Sequence, residues 1–161
     1  MLKFGLDRGR ESYIYVEEFT ELEAQQYLTA LGLELSEADI KYFIDNIGGN
    51  PAAIHQLSVK MTLYGMSVQE FVAYQLRNAS AELAAFPHQA ILKALKEHPE
   101  GVDTGYLKNM YSKGVNLTDP RAVGVAMENS NVLTYHMELF QYVMLSRCHE
   151  VALRTYEPIV R

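Results

Sequence analysis

The chain has 161 residues, of which 48% are hydrophobic and 21% charged, and it contains one cysteine, Cys148. This length fits one domain or two small ones, and the apolar fraction excludes a disordered chain and a collagen-like fibre. No stretch reaches the ~18 apolar residues of a membrane span, and the first residues lack the apolar core of a signal peptide. Because a single cysteine cannot form an internal disulfide, we expect a reducing compartment and a cytoplasmic protein. The lack of a membrane span leads us to expect no membrane partner.

The charge is shared unevenly along the chain. Residues 1–86 hold six Lys and Arg against twelve Asp and Glu, whereas residues 87–161 hold eight of each. Neither part is the basic module that nucleic-acid binding requires, since that binding depends on clustered Lys and Arg. The composition therefore disfavours general binding to DNA.

The first element is short. Residues 12–19 are rich in aromatic and β-branched residues and predict one strand or extended segment. The sequence that follows is helical in pattern and offers this strand no partner. Residues 1–19 therefore suggest an edge strand whose neighbours are missing.

Four helices are predicted between residues 20 and 86. Thr20 with Glu23, and Ser67 with Glu70, are capping boxes that begin the first and fourth helices. Apolar residues recur at helical spacing and predict the buried faces. The predicted faces are Ala24, Tyr27, Leu28 and Leu31; Ile40, Phe43, Ile44 and Ile47; Ile54, Leu57, Met61 and Tyr64; and Val68, Phe71, Val72, Gln75 or Leu76, Ala79 and Leu83. Short turns between the helices predict a compact bundle.

The pattern changes at Pro87. Helices are predicted over about 88–97, from Asp103 or Thr104 to Gly114, and from Asp119 to near Asn131. Two β-rich runs follow at 132–136 and 139–144, and a last helix is predicted over 148–156. Three helices followed by a hairpin is the order of a winged helix. The predicted fold is therefore mainly α, a four-helix bundle over 20–86 followed by a winged-helix domain over 87–161 with a small β-hairpin.

The segment Gly48-Gly49-Asn50-Pro51 lies between two strongly amphipathic helices. Two glycines permit a close backbone approach, and Asn50 with Pro51 sets a helix N-terminus whose free amides can face an anion. A helix that stops and a helix that starts need the same residues, so this segment is open to a structural or a ligand-binding interpretation.

The order of these elements carries a family resemblance. An extended segment, Phe-Thr-x-x-Glu-Ala at 19–24, a helix ending in Gly-Gly-Asn-Pro, a long helix and a winged helix follow one another over residues 12–145. This order resembles the C-terminal half of AAA+ and STAND-type ATPases, especially the archaeal-ATPase-like group. In that family the bundle is a lid over the nucleotide, and a Gly-x-Pro motif lies beside the adenine and the sugar. The resemblance implies that Gly49 and Pro51, extended by Gly48, form the lid side of a nucleotide site.

The resemblance has limits. The sequence holds no Gly-x-x-x-x-Gly-Lys-Ser/Thr loop and no apolar run ending in paired acids, so the nucleotide-binding core is absent. The family would then make residues 1–19 a remnant of that core, and ATP or ADP with Mg would bind only in a full-length parent. We expect this chain alone to bind no cofactor and to be no enzyme, acting as a lid that couples nucleotide state to the missing domain or to a protein partner.

A DNA-binding regulator or origin-binding protein is the first alternative. The third winged-helix helix offers Arg121, and the preceding helix offers Lys108 and Lys113. The hairpin runs hold no Lys or Arg, and so few cations supply little of the electrostatic attraction to DNA. DNA binding at these three residues is therefore disfavoured but stays open.

A protein-binding adaptor is the second alternative. A lid without its core would expose an apolar surface around Ile54, Leu57 and Met61, and that surface would also allow a homodimer. The five histidines show no metal-ligand spacing, and no residues form a convergent catalytic set. We therefore predict no metal site and no catalytic residue, and we interpret Cys148 as a packed thiol.

Overall fold

The computed structural model describes residues 2–6, 10–14, 18–103, 105–106, 132–136 and 141–160. The elements in chain order are β1 (Leu2–Leu6), β2 (Arg10–Ile14), α1 (Glu21–Ala30), α2 (Glu37–Ile47), α3 (Pro51–Tyr64), α4 (Val68–Ala85), α5 (Gln89–Glu97), β3 (Val102–Asp103), β4 (Leu133–His136), β5 (Gln141–Met144) and α6 (Arg147–Thr155). The fold is mainly helical with a small antiparallel sheet, which confirms the predicted bundle followed by a winged-helix arrangement. Of the helices predicted between 103 and 131, the structure describes only Gly105 and Tyr106 as helical; residues 107–131 lie outside the described residues.

The N-terminal strand prediction was wrong in its bounds and its pairing. Strand β2 ends at Ile14, and it pairs antiparallel with β1, with Leu2 opposite Ile14 and Leu6 opposite Arg10. The sequence carries the reason, because Leu2, Phe4 and Leu6 alternate with other residues at the period of a strand. The strand therefore has a local partner, and whether residues 1–19 belong to a missing core stays a prediction.

The helix starts follow from local side-chain chemistry. Thr20 accepts a hydrogen bond from the amide of Glu23 while the Glu23 carboxylate accepts one from the amide of Thr20, and the capping box at Ser67 and Glu70 has the same pattern. Each cap satisfies backbone amides that have no partner within the helix. Both predicted capping boxes, and the bounds of α3 and α4, are confirmed.

The bundle core is formed by the predicted apolar faces. Phe43 of α2 and Phe71 of α4 lie at its centre with ring centroids 6.0 Å apart. Two predicted core residues at helix ends are instead exposed, since Leu31 is the residue after the last turn of α1 and Tyr64 is the last residue of α3. The Tyr64 ring lies at the surface, with the Lys60 ammonium 4.8 Å from its centroid.

The prediction of an exposed apolar surface around Ile54, Leu57 and Met61 was also wrong. Ile54 and Leu57 are fully buried, and Met61 is half-buried against the same core. These side chains are used within the bundle, so they provide no open face for a second copy or a partner. The association of two copies stays a prediction, but this apolar surface no longer supports it.

The second half adds α5 and a sheet with the order β3-β5-β4. Strand β3 was not predicted, because it has only two residues and pairs with β5, distant in sequence. Helix α6, predicted in the tail and now confirmed, packs mainly on α4 and also on α2. This packing brings the end of the winged-helix part against the bundle. Within the described part of the chain, no helix is long and apolar enough to cross a membrane.

Candidate functional site

The Gly-Gly-Asn-Pro corner joins α2 to α3. Gly48 ends α2 with φ +92°, a left-handed conformation that favours glycine, and its amide donates to the Ile44 carbonyl. Asn50 caps α3 by accepting a hydrogen bond from the Ala52 amide at 2.9 Å, and Pro51 is the first helical residue. The corner is thus a helix stop followed directly by a helix start.

The two glycines are covered by the chain itself. The Gly49 amide donates to the Glu18 carboxylate at 2.8 Å, and the Phe19 amide donates to the Gly49 carbonyl at 2.8 Å. A Cβ atom at Gly49 would overlap the Phe19 carbonyl and lie 2.7 Å from the Phe19 nitrogen. Gly48 and Gly49 are consequently buried, whereas Pro51 is exposed. The close backbone approach that glycine permits is used here for a contact with Glu18 and Phe19.

Helix α6 also meets the corner, through Arg147. A Cβ at Gly48 would lie 3.1 Å from the Cβ of Arg147. The Arg147 Nε donates to the Asp45 carbonyl in the last turn of α2 at 3.2 Å, and its Nη1 pairs with Glu150 at 2.8 Å. The corner therefore joins the N-terminal segment, the bundle and the helix that follows the winged-helix sheet.

A pocket of about 260 Å³ opens beside the corner. Its polar lining consists of Asn50, Gln56, Gln75, Asn78, Glu82, Ser146 and His149. The first turns of α3 and α6 both border it, since Ala52, Ala53 and Cys148 also line the cavity. Helix N-termini favour anions, and carboxamide side chains both donate and accept hydrogen bonds. The two helix N-termini favour an anionic group on a polar ligand in this pocket, and the Glu82 carboxylate in the lining opposes it.

His149 links the two helices at the edge of this pocket. The residue is 8% exposed, and its ring has Nε2 2.7 Å from the Glu82 carboxylate of α4 and Nδ1 2.8 Å from the Ser146 hydroxyl. When the ring is neutral, Nε2–H donates to Glu82 and the hydroxyl donates to Nδ1; when it is charged, both nitrogens donate. Both ring nitrogens therefore have partners in either state, and the side chain holds α6 against α4.

Sequence reasoning missed this group of three residues. Ser146 precedes His149 by three residues, which is the spacing of an N-cap, so their local contact carries a signal. Glu82 lies 67 residues away from His149 and has no such signal. The pocket and its bridge depend on tertiary packing that the local pattern does not contain.

Cys148 is a packed thiol, as predicted. Its side chain is buried, and burial, with a smaller contribution from the negative charge of Glu82, raises the pKa of the thiol to about 11. Both effects disfavour the thiolate, which is the nucleophilic and metal-binding form. The folded protein therefore keeps this thiol unreactive at neutral pH.

We expect iodoacetamide to alkylate Cys148 in the folded protein at pH 8 about tenfold more slowly than in the urea-unfolded chain. The raised pKa lowers the thiolate fraction about a hundredfold, and higher intrinsic nucleophilicity recovers about tenfold of that loss. Mass spectrometry of timed samples measures both rates. Equal rates in the two states would contradict the burial of this thiol.

The raised pKa of Cys148 also predicts how stability depends on pH. Because the pKa of the thiol is higher in the folded than in the unfolded protein, the free energy of unfolding of the wild type relative to a Cys148→Ala variant should be constant below about pH 9. It should then decrease as the pH rises towards 11.

The remaining predicted site residues cannot be placed. Arg121, Lys108 and Lys113, which were assigned to DNA, lie outside the described residues. Among the residues that the structure describes, no group of three or more His, Cys, Asp or Glu side chains is arranged to hold a metal ion.

Comparison with known proteins gives a fold relationship. No protein-family model matches the sequence, and no curated protein matches it. A solved structure of a Walker-type ATPase from Pyrococcus abyssi superimposes with a TM-score of 0.51 at 16% sequence identity, over 83% of this chain. The chain spans 40% of that protein's length. The likeness shows the fold.

Proposed function

We propose that this chain is the non-catalytic lid and winged-helix portion of a STAND/AAA+ ATPase. In this role the Gly-Gly-Asn-Pro corner senses the nucleotide state and the winged-helix part passes it to a protein partner or a neighbouring domain. The observation that carries the proposal is the meeting of three parts at the corner, namely Glu18 and Phe19, the α2–α3 turn, and Arg147 of α6. A change at this point is transmitted to both ends of the chain.

The nucleotide side of the proposal rests on the pocket beside the corner. Pro51 is exposed at the first turn of α3, and Asn50, Gln56 and Asn78 supply carboxamides along the pocket wall. The buried Gly48 and Gly49 fix the path of the backbone that presents these groups. ATP or ADP with Mg would then be bound between this surface and a nucleotide-binding core that the chain lacks. Since one of the two bodies is missing, the chain alone should bind nucleotide weakly or not at all.

The coupling side rests on helix α6. Arg147 contacts the corner and His149 binds Glu82, so a movement of the bundle relative to the core displaces α6 and the sheet before it. A ligand that bridges two rigid bodies shifts their equilibrium by its difference in affinity for the closed and open arrangements. The lid acts in this way as a lever without any catalytic residue of its own.

Photolabelling of the natural gene product that contains this chain tests the proposal. With 8-azido-ADP, we expect the label in the tryptic peptide Tyr42–Lys60, which holds the whole corner, and we expect excess ADP to remove it. A variant with Asn50→Ala should be labelled less. Asn78→Ala tests the opposite wall of the pocket in the same way. His55→Ala, at an exposed position on α3, is the matched control. Label confined to other peptides, or a gene product that binds no nucleotide, would overturn the proposal.

A further inference from the structure

A second pocket of about 260 Å³ lies on the other side of α6, between that helix and α5. Its apolar lining is Leu95, Met144 and Leu153, with Pro99 at the edge. The three large side chains belong to the core, so the floor is fixed by packing. Pockets that bind drug-sized ligands have volumes of about 300–1,000 Å³. The volume of this pocket is below that range and is suited to a single large side chain.

The rim of this pocket is basic. Lys96, Arg147 and Arg154 line it; Glu150 pairs with Arg147, and Glu157 pairs with Lys96. Arg154 is exposed, and within the described part of the chain it has no hydrogen bond or ion pair. Among the described residues, the rim therefore has one uncompensated positive charge, at Arg154. An acidic ligand is therefore complementary to the rim.

The chain's own tail shows how such a ligand can bind. The Lys96 ammonium donates to the Tyr156 carbonyl at 2.8 Å and to the Glu157 carboxylate at 2.6 Å. The Glu157 side chain is 86% exposed, so its carboxylate contacts Lys96 at the protein surface. The chain's own Glu157 carboxylate thus already occupies Lys96, directly beside the pocket, and leaves Arg154 for a ligand.

We propose that this pocket docks an acidic peptide segment of a partner protein, with one apolar side chain on the floor and a carboxylate at Arg154. Buried anchors surrounded by polar contacts are the usual source of affinity in protein interfaces. Nucleic acid fits less well, because a duplex presents phosphates and has no apolar side chain that could pack on the apolar floor of the pocket. The proposal goes beyond the nucleotide role and does not depend on it. Arg147 contacts the corner and also lines this pocket, so a movement of the corner would reach the docked partner through Arg147.

Methyl NMR on the full chain tests the pocket without any nucleotide. The probe is a short synthetic peptide with one Phe flanked by Asp and Glu, and the reporters are the methyl groups of Leu95, Met144 and Leu153. We expect concentration-dependent shifts at these methyls, and no shifts with the same peptide carrying Ala in place of Phe. Raising the salt concentration should weaken binding, because the attraction at an exposed rim is screened.

Charge reversal at the rim provides the matched comparison. Arg154→Glu should raise the dissociation constant about fivefold or more, while Arg77→Glu, an equal change at an exposed position of α4 away from the pocket, should leave it unchanged. The chemical-shift dispersion of the free variants verifies that both are folded. The proposal is overturned if the Ala peptide binds equally well, if Arg154→Glu has no effect, or if a DNA duplex shifts these methyls and the acidic peptide does not.

Discussion

Replacing Gly49 with alanine is expected to lower the free energy of unfolding by about 3 kcal/mol or more. The added Cβ would overlap the Phe19 carbonyl and lie 2.7 Å from the Phe19 nitrogen and 2.8 Å from its carbonyl carbon. These are backbone atoms, so no side-chain rotation relieves the overlap. The segment that carries Phe19 must move, and its hydrogen bond to the Gly49 carbonyl is then lost.

Urea unfolding followed by circular dichroism measures this loss, and in a domain of this size the midpoint of thermal unfolding should fall by about 6–12 °C. Gly32→Ala and Gly65→Ala are the controls, since no atom lies within 4 Å of an added Cβ at either glycine; both have positive φ, which Gly49 does not. Each control should cost only about 1 kcal/mol of conformational strain. A Gly49→Ala variant as stable as these controls would mean that Glu18 and Phe19 are not held against the corner.

Gly48 offers a further comparison at the same corner. An added Cβ there meets the Glu18 carboxylate at 2.6 Å, and that carboxylate is the end of a flexible side chain. Shortening Glu18 to alanine should therefore recover part of the loss in Gly48→Ala and none of the loss in Gly49→Ala. The strain of φ +92° at Gly48 remains in both backgrounds.

The parts of the fold that the sequence predicts are those whose causes are local. The hydroxyl of Thr20 and the carboxylate of Glu23 are three residues apart, so the capping box and the start of α1 follow from adjacent letters. The same is true of Asn50 and Pro51 at the start of α3. Helix bounds and buried faces depend on spacing along one helix, and they were accordingly predicted well.

The errors came where a partner is distant or an element ends. Leu31 continues the apolar spacing of α1 but stands beyond its last turn, so it is 43% exposed. Ile54 and Leu57 were correctly assigned to an apolar face, but the sequence does not say that this face is already covered. The covering elements are known only once the bundle is assembled.

The candidate site shows the same division. The sequence singled out Gly48, Gly49 and Pro51 because glycine and proline have distinct backbone preferences. It did not reveal that Glu18, 31 residues before Gly49, binds the amide there. It also did not reveal the pocket wall, which combines residues from α3, α4 and α6. Contacts across such separations leave no periodic signal in a single sequence.

The second large effect is expected at the bridge between α4 and α6. His149→Ala should lower the free energy of unfolding by about 2 kcal/mol, because it removes two hydrogen bonds of a buried ring and leaves a gap beside Cys148. Glu82 is partly exposed, so solvent replaces some of its lost bond and Glu82→Ala should cost about 1 kcal/mol. His55→Ala, at an exposed position of α3, is the control for the substitution itself and should have little effect.

A double-mutant cycle isolates the contact between the two side chains. If His149 and Glu82 act through their 2.7 Å contact, the double variant should be more stable than the sum of the single losses predicts, by about 1 kcal/mol. Additive losses would show that the two residues act independently and that the bridge does not hold α6.

Hydrogen exchange then separates a general loss of stability from release of one helix. With the bridge removed, the amides of α6 should exchange faster than in the wild type, while those of α1, which lies elsewhere in the bundle, keep their protection. That result is what a lever requires, since α6 must be able to leave α4 without unfolding the bundle. Equal acceleration in α1 and α6 would mean that the two parts unfold as one unit, and the proposed coupling through His149 would then have no separate element to move.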